Sequence, residues 1–304
     1  MIGAPAIIAW WKSNLIEHKF GKISSMNFRD SACVQLSQYK VEVLRVKENG
    51  IFHYRGRDIP KTHILPIAHR DKNILERYRS QFFASEHAQI KFHQFFHHLN
   101  SSQALCINFF YPLIAENMLG LFLKFLGIDP TSDMKSLFEK ESDIEQAARR
   151  TSFDFYTQLA GINNIFVEVK YTEDGFGKAK NDEEHRNKFR KTYLPLLIDK
   201  MAFLVAECQE ESLFLNYYQI LRNLVHISNT DYVVLLFPSA NTAVAEESVY
   251  ARDHFLTDAG RERLKIVFLD EIASFLESEC AHSSLDGYYQ EFRDKYLPHL
   301  GTGG

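Results

Sequence analysis

The order of apolar and polar positions sets out most of the chain. Between residues 150 and 173, β-branched and aromatic residues alternate with polar ones in two arms. The first is Ser152-Phe153-Asp154-Phe155-Tyr156-Thr157 and the second Ile165-Phe166-Val167-Glu168-Val169-Lys170, with Ala160-Gly161-Ile162-Asn163 between them. Period-two alternation around a Gly/Asn break predicts a β-hairpin, since glycine supplies the positive φ of a tight turn. A short strand over 136–141 precedes it. Two later runs, 231–238 and 265–269, are apolar without alternation, as in strands covered on both faces; a helix over 270–279 follows the second. Helical spacing predicts a helix over 72–99, one or two helices over 101–128 closed by Gly127 and Pro130, a helix running through Tyr193 to Cys208, and another over 213–227. Near the start, 38–45 and 50–54 predict a small hairpin around Glu48-Asn49-Gly50.

Strand side chains alternate between faces, so Ser152, Asp154 and Tyr156 share one face of the first arm, and Phe166, Glu168 and Lys170 share one face of the second. With the turn centred on Gly161, Asp154 lies opposite Glu168. Two carboxylates about 4 Å apart repel by about 4 kcal/mol at an effective dielectric of about 20. A divalent metal offsets that cost, because carboxylates together with phosphate oxygens are a common Mg²⁺ environment. A solvated sheet face with a cross-strand Lys–Glu pair fits the same spacing.

An Asp on one strand followed by Glu-Val-Lys on the next resembles the PD-(D/E)xK nuclease superfamily, the restriction-endonuclease-like fold. Asp154 matches the motif's Asp, and Glu168 and Lys170 match its E-x-K; Phe153 stands where the motif name has Pro. The resemblance implies an α/β (α+β) fold with an αβββαβ core, a mixed central sheet flanked by helices. The expected division is a mostly helical N-terminal region over 1–100, packed on a nuclease-like core over 101–300. The implied activity is Mg²⁺-dependent hydrolysis of phosphodiester bonds in DNA, with Mn²⁺ as an alternative ion, in a restriction or defence setting. Asp154, Glu168 and the Val169 carbonyl would bind the metal, and Lys170 would orient water or neutralise the phosphate. Superfamily members often carry a Glu on the helix before the sheet, for which Glu116 is the candidate. Some carry a Gln on a later helix, for which Gln219 is the candidate; Arg222 shares its face at i, i+3.

Other features narrow the reading. The chain has 304 residues, 45% of them hydrophobic and 13% aromatic, enough for a large core. Its net charge of −4 argues against nucleic-acid binding over the whole surface and leaves room for a local basic groove. Lys178, Lys180, Arg186, Lys188 and Arg190 form such a cluster beside the hairpin; they suit phosphate contacts, and equally a solvated helix paired with Glu183 and Glu184. His93 and His97 have a metal-capable i, i+4 spacing that an amphipathic helix with polar edges also explains. Cys33, Cys106, Cys208 and Cys280 are far apart, form no C-x-x-C and are expected to be free thiols. The apolar run 2–11 lacks a preceding basic region and suits a docking helix better than a signal peptide. No run is long and uninterrupted enough to span a membrane. A cytoplasmic protein follows, acting on nucleic acid, with a homodimer natural for two strand breaks per duplex. The competing readings are a nuclease fold that binds without cutting and a non-enzymatic interaction protein, in which Asp154 and Glu168 would lie apart.

Overall fold

The computed structural model describes residues 27–297 except 132, 161 and 162. The run 2–11, the turn at Gly161 and the tail 301–304 lie outside the described residues. The chain opens with α1 (Phe28–Glu42), capped by the Asn27 side chain accepting from the Asp30 amide, followed by β1 (Gly50–Tyr54), β2 (Arg57–Lys61) and α2 (Glu76–Ala84). Then come α3 (Ser102–Ala115), α4 (Gly120–Leu126), β3 (Met134–Glu141), β4 (Ser152–Leu159) and β5 (Asn163–Val169). The second half holds α5 (Glu183–Lys188), α6 (Leu194–Asp199), α7 (Glu211–Asn216), α8 (Tyr218–Leu224), β6 (Tyr232–Phe237), α9 (Thr242–Phe255), α10 (Asp258–Arg263), β7 (Leu264–Phe268), α11 (Leu269–Glu279) and α12 (Tyr288–Tyr296).

The strands β3-β4-β5-β6-β7 form one mixed sheet in that order. β3, β4 and β5 are antiparallel neighbours; β5, β6 and β7 run parallel. The parallel pairs are joined by helical crossovers, α5 to α8 and then α9 with α10, as parallel strands require. With α3 ahead of β3, this is the αβββαβ order that the resemblance implies, in a mixed sheet flanked by helices.

Alternation along the strands feeds two cores. Phe155, Val167, Val169, Val234 and Leu236 face a cluster that includes α3, α11 and α12 and reaches back to Ala32 and Leu36 of α1. Val233, Leu235 and Phe237 face the other, built with residues of α6 to α9. α3 is buried from Gln103 through Leu113 because it lies between the sheet and α12: Phe110 stacks on Phe155 at 3.9 Å, and Phe109 meets Phe292 at 5.6 Å. Among the described residues no single helix is long and apolar enough to cross a membrane; α3 and α4 pass that test only together, bent by 114°.

Several expectations need correction. Residues 38–42 belong to α1, and the small hairpin is β1–β2, turned at Arg55 and Gly56, both at positive φ. Helical spacing over 72–99 is realised only in α2 and short 3₁₀ turns, so His93 and His97 stand in a turn region rather than on one helical face. The predicted helix ending at Cys208 stops at Asp199, and the one over 213–227 breaks at Tyr217, whose ψ of 37° is not helical. Neither α9 nor α12 was expected from the spacing of apolar residues. Cys106, Cys208 and Cys280 are buried free thiols and Cys33 is a partly exposed one.

Candidate active site

The site forms where β4 and β5 part. Their ladder is paired from Leu159 and Asn163 up to Phe155 and Val167. Beyond it the alternation of β4 slips: Phe153 packs on Phe166 and His226, and Tyr156 also packs on Phe166. Asp154 lies at this slip, and its carboxylate substitutes for a strand partner, Oδ2 accepting the Val169 amide at 2.7 Å. Glu168 is buried at 4% exposure. Its Oε1 accepts from Lys170 Nζ at 2.8 Å and from Gln219 Nε2 at 2.8 Å. Gln219 is delivered by α8, packed across the sheet face that carries Glu168.

A third carboxylate closes the group. Glu139 of β3 stands opposite Asp154 in the antiparallel register that pairs Phe138 with Phe155 and Lys140 with Phe153. Its φ of 54° breaks the regular strand conformation there. Its Oε1 accepts from Gln103 Nε2 of α3 at 2.6 Å and its Oε2 from Ser152 Oγ at 3.2 Å. Three acids and one ammonium therefore meet in one place.

The charge balance appears in the titration of the group. Burial, with Glu168 and Glu139 adding to it, pushes the Asp154 carboxyl well above the ordinary range, against the opposing pull of Lys170 and the Val169 amide. Burial also raises Glu139; Gln103 and Ser152 oppose this, and Glu168 reinforces it. Burial works against the charge on Lys170, but Glu168, Glu173 and Asp154 outweigh it and hold the amine above its usual value. Lys170 is thus a fixed cation within an excess of negative charge.

Not every residue singled out from sequence comes to this place. Glu116 ends α3, where its Oε1 accepts from the Tyr78 hydroxyl at 2.8 Å. Thirteen positions separate it from Gln103, about 20 Å along a helix, so it is the other end of α3 that reaches the acids. Arg186 pairs with Glu183 at 3.2 Å and Arg190 with Glu211 at 3.0 Å. Lys188 donates to the Arg149 carbonyl at 2.6 Å. Lys178 and Lys180 are exposed in the loop after β5. Arg186 is thus paired along its own helix, whereas Arg190 reaches Glu211 of α7 and Lys188 reaches the β3–β4 loop. Val169 gives its amide to Asp154 and buries its side chain in the core.

Glu139 and Gln103 are the side chains that sequence reasoning missed. The expected strand 136–141 contains Glu139, but only the register brings it opposite Asp154. Gln103 has no motif to mark it. Among the described residues no set of three or more His, Cys, Asp or Glu has the geometry of a metal cage. Asp154 and Glu168 are the carboxylates that could hold an ion such as Mg²⁺ or Mn²⁺, whose shell water and substrate oxygens commonly complete.

A family model described as Restriction Endonuclease associating with ARP matches residues 33–297 of this chain. No curated protein and no solved structure matches it.

Proposed function

We propose a reaction for a chain that belongs to the family of restriction endonucleases associating with ARP: divalent-metal-dependent hydrolysis of phosphodiester bonds in DNA at Asp154, Glu168 and Lys170. The observation that carries the reading is the excess of carboxylate over ammonium at the parting of β4 and β5. A protein that used this face only for stability would gain by losing one of the acids, because buried like charges raise each other's pKa. A bound cation removes that penalty, and a phosphate placed against it adds the remaining oxygens.

Asp154 and Glu168 would hold the ion, with the Val169 carbonyl beside them. When bound, a divalent cation polarises the phosphodiester and lowers the pKa of an attacking water. The protein's own groups do the rest. Gln219 and Lys170 together fix the Glu168 carboxylate, so little reorganisation is needed when substrate arrives. Lys170, held charged, stabilises negative charge building on the phosphate. Glu139, steadied by Gln103 and Ser152, maintains the negative field that favours a cation.

The test is incubation with supercoiled plasmid and Mg²⁺ or Mn²⁺, with and without EDTA, read on a gel. Nicked or linear product from the wild type, lost in Asp154→Asn and Glu168→Gln and abolished by EDTA, is the expected result. Cleavage by Asp154→Asn at the wild-type rate would overturn the assignment.

A further inference from the structure

On the same side of the sheet as Gln219, a cleft of about 530 Å³ opens between the β3–β4 loop, α5 with the π-helical turn that follows it (Phe189–Tyr193), and α8. Arg149, Lys188, Lys191 and Arg222 line it with His185 and Tyr218, and Glu184 is its one acid among the described residues. In a chain of net charge −4 this is a local concentration of cations. We propose that the cleft binds a backbone phosphate of the nucleic-acid substrate, adjacent to the bond that is cut; this rests on the nuclease reading above.

The construction of the cleft supports it. Arg222 is partly buried, with its guanidinium 5.0 Å from the Tyr218 ring centre and 5.6 Å from that of Tyr193, and with Glu145 at 3.6 Å. Two rings and a carboxylate hold it in one orientation. Arg222 is three residues after Gln219 on α8, so their Cβ atoms lie about 5–6 Å apart. One helix therefore sends one side chain to Glu168 and the next on that face into the cleft.

The β3–β4 loop is anchored just as firmly. Buried Glu145 accepts the Thr151 amide at 3.0 Å and the Tyr193 hydroxyl at 2.9 Å, and His226 Nε2 lies 2.7 Å from Ser142 Oγ. The next residue after Thr151 is Ser152, which bonds Glu139. The cleft and the acids therefore share the loop as well as the helix.

Arg149 and Lys191 are exposed, and neither has an ion-pair partner among the described residues. Burial lowers the pKa of Lys188, and Arg222 and Arg149 lower it further. Cations that repel one another in the free protein are relieved by an anion. A backbone phosphate adjacent to the bond placed at Glu168 supplies one.

The test is binding of a fluorescein-labelled 30-bp DNA duplex to the full chain in EDTA, by anisotropy across a salt series. Arg149→Gln/Lys191→Gln changes two exposed side chains and should leave the fold intact. Lys61→Gln, on the β1–β2 hairpin, is the control. The double variant should bind on the order of ten-fold more weakly. Its slope of log K against log[salt] should be shallower by about 0.9 for each phosphate it no longer neutralises, and the control should match the wild type. Wild-type affinity and slope in the double variant would overturn the proposal, as would absence of duplex binding by the wild type. Displacement of the duplex by millimolar orthophosphate at constant ionic strength would also overturn it, by assigning the cleft to free phosphate. Because binding is read without metal, a loss of affinity in the double variant supports the cleft even if no protein cuts plasmid, a result that would count against the nuclease reading alone.

Discussion

The Glu168–Lys170 pair gives the sharpest test of how the site is held together. Lys170 is 7% exposed and Glu168 4%, and their charged atoms are 2.8 Å apart. Removing one partner of a buried ion pair typically costs about 3–5 kcal/mol, because the other charge is left without compensation. Domain stabilities are commonly about 5–15 kcal/mol, so Lys170→Met should lose a large share of the total. Adding Glu168→Gln should restore most of it, since Gln219 donates equally well to a carboxamide oxygen. The double variant should then be destabilised by about 1–2 kcal/mol, about 2–3 kcal/mol less than Lys170→Met alone. The assay is urea unfolding at pH 7.5 in EDTA, with all proteins in one buffer. Additive effects of the two substitutions, within about 0.5 kcal/mol, would refute the reasoning.

Neighbouring groups give four more predictions. Asp154 has a folded pKa raised by burial, Glu168 and Glu139, so the stability it lends below its unfolded value near 3.9 is lost as pH rises toward the folded one. Asp154→Asn keeps an acceptor for the Val169 amide and should be more stable than wild type at pH 8 by about 1–2 kcal/mol, read as roughly 2–6 °C in Tm, with no gain near pH 3; equal Tm values at pH 8 would count against the charge balance described. Mg²⁺ at about 100 times its Kd should stabilise the wild type by about 2.7 kcal/mol and leave Asp154→Asn unmoved, as measured by thermal melts. Glu139→Gln removes one of the carboxylates that raise Asp154, so in that background the gain from Asp154→Asn should be smaller and level off at a lower pH; an equal gain at pH 8 in both backgrounds would show that the two acids do not interact. Gly260→Ala would set a Cβ 2.2 Å from the Phe203 carbonyl oxygen and should cost about 2–4 kcal/mol in urea unfolding.

Much of the sheet is legible in the sequence because its strands carry their instructions locally. The alternation over 155–159 and 163–169 sets which side chains share a face, and the register with Phe155 against Val167 follows from the hairpin itself. β6 is legible as an unbroken apolar run, since both its faces are covered by helices, and β7 as a shorter one interrupted by Lys265 at the sheet edge. Helices are harder where burial is decided by distant partners. α12 carries Tyr288, Tyr289, Phe292 and Tyr296 inward, yet its polar residues hide that stripe until α3 is there to receive it. Over 72–99, histidines and phenylalanines at helical spacing serve a turn region instead: the Asn73 amide donates to the Phe96 and His98 carbonyls at 2.7 and 2.6 Å, which ties the segment back on itself.

The same division explains the acids. Asp154, Glu168 and Lys170 can be grouped from sequence because one hairpin carries all three, even though the slip between Phe153 and Phe155 departs from strict period two. Glu139 belongs to a different strand, and two facts that no local pattern contains bring it in: the β3–β4 register, and a positive φ at a non-glycine residue that departs from strand geometry. Glu116 is the natural candidate from sequence because motif reasoning looks for a carboxylate on the preceding helix. That helix contributes instead through Gln103, at its opposite end, and the carboxylate arrives from the edge strand. A neutral amide donating to an edge-strand acid leaves the group with the same number of carboxylates that a helix-borne Glu would have given. The site's charge is therefore kept while its source moves from helix to strand, a change that is invisible in residue spacing and follows only from which elements pack together.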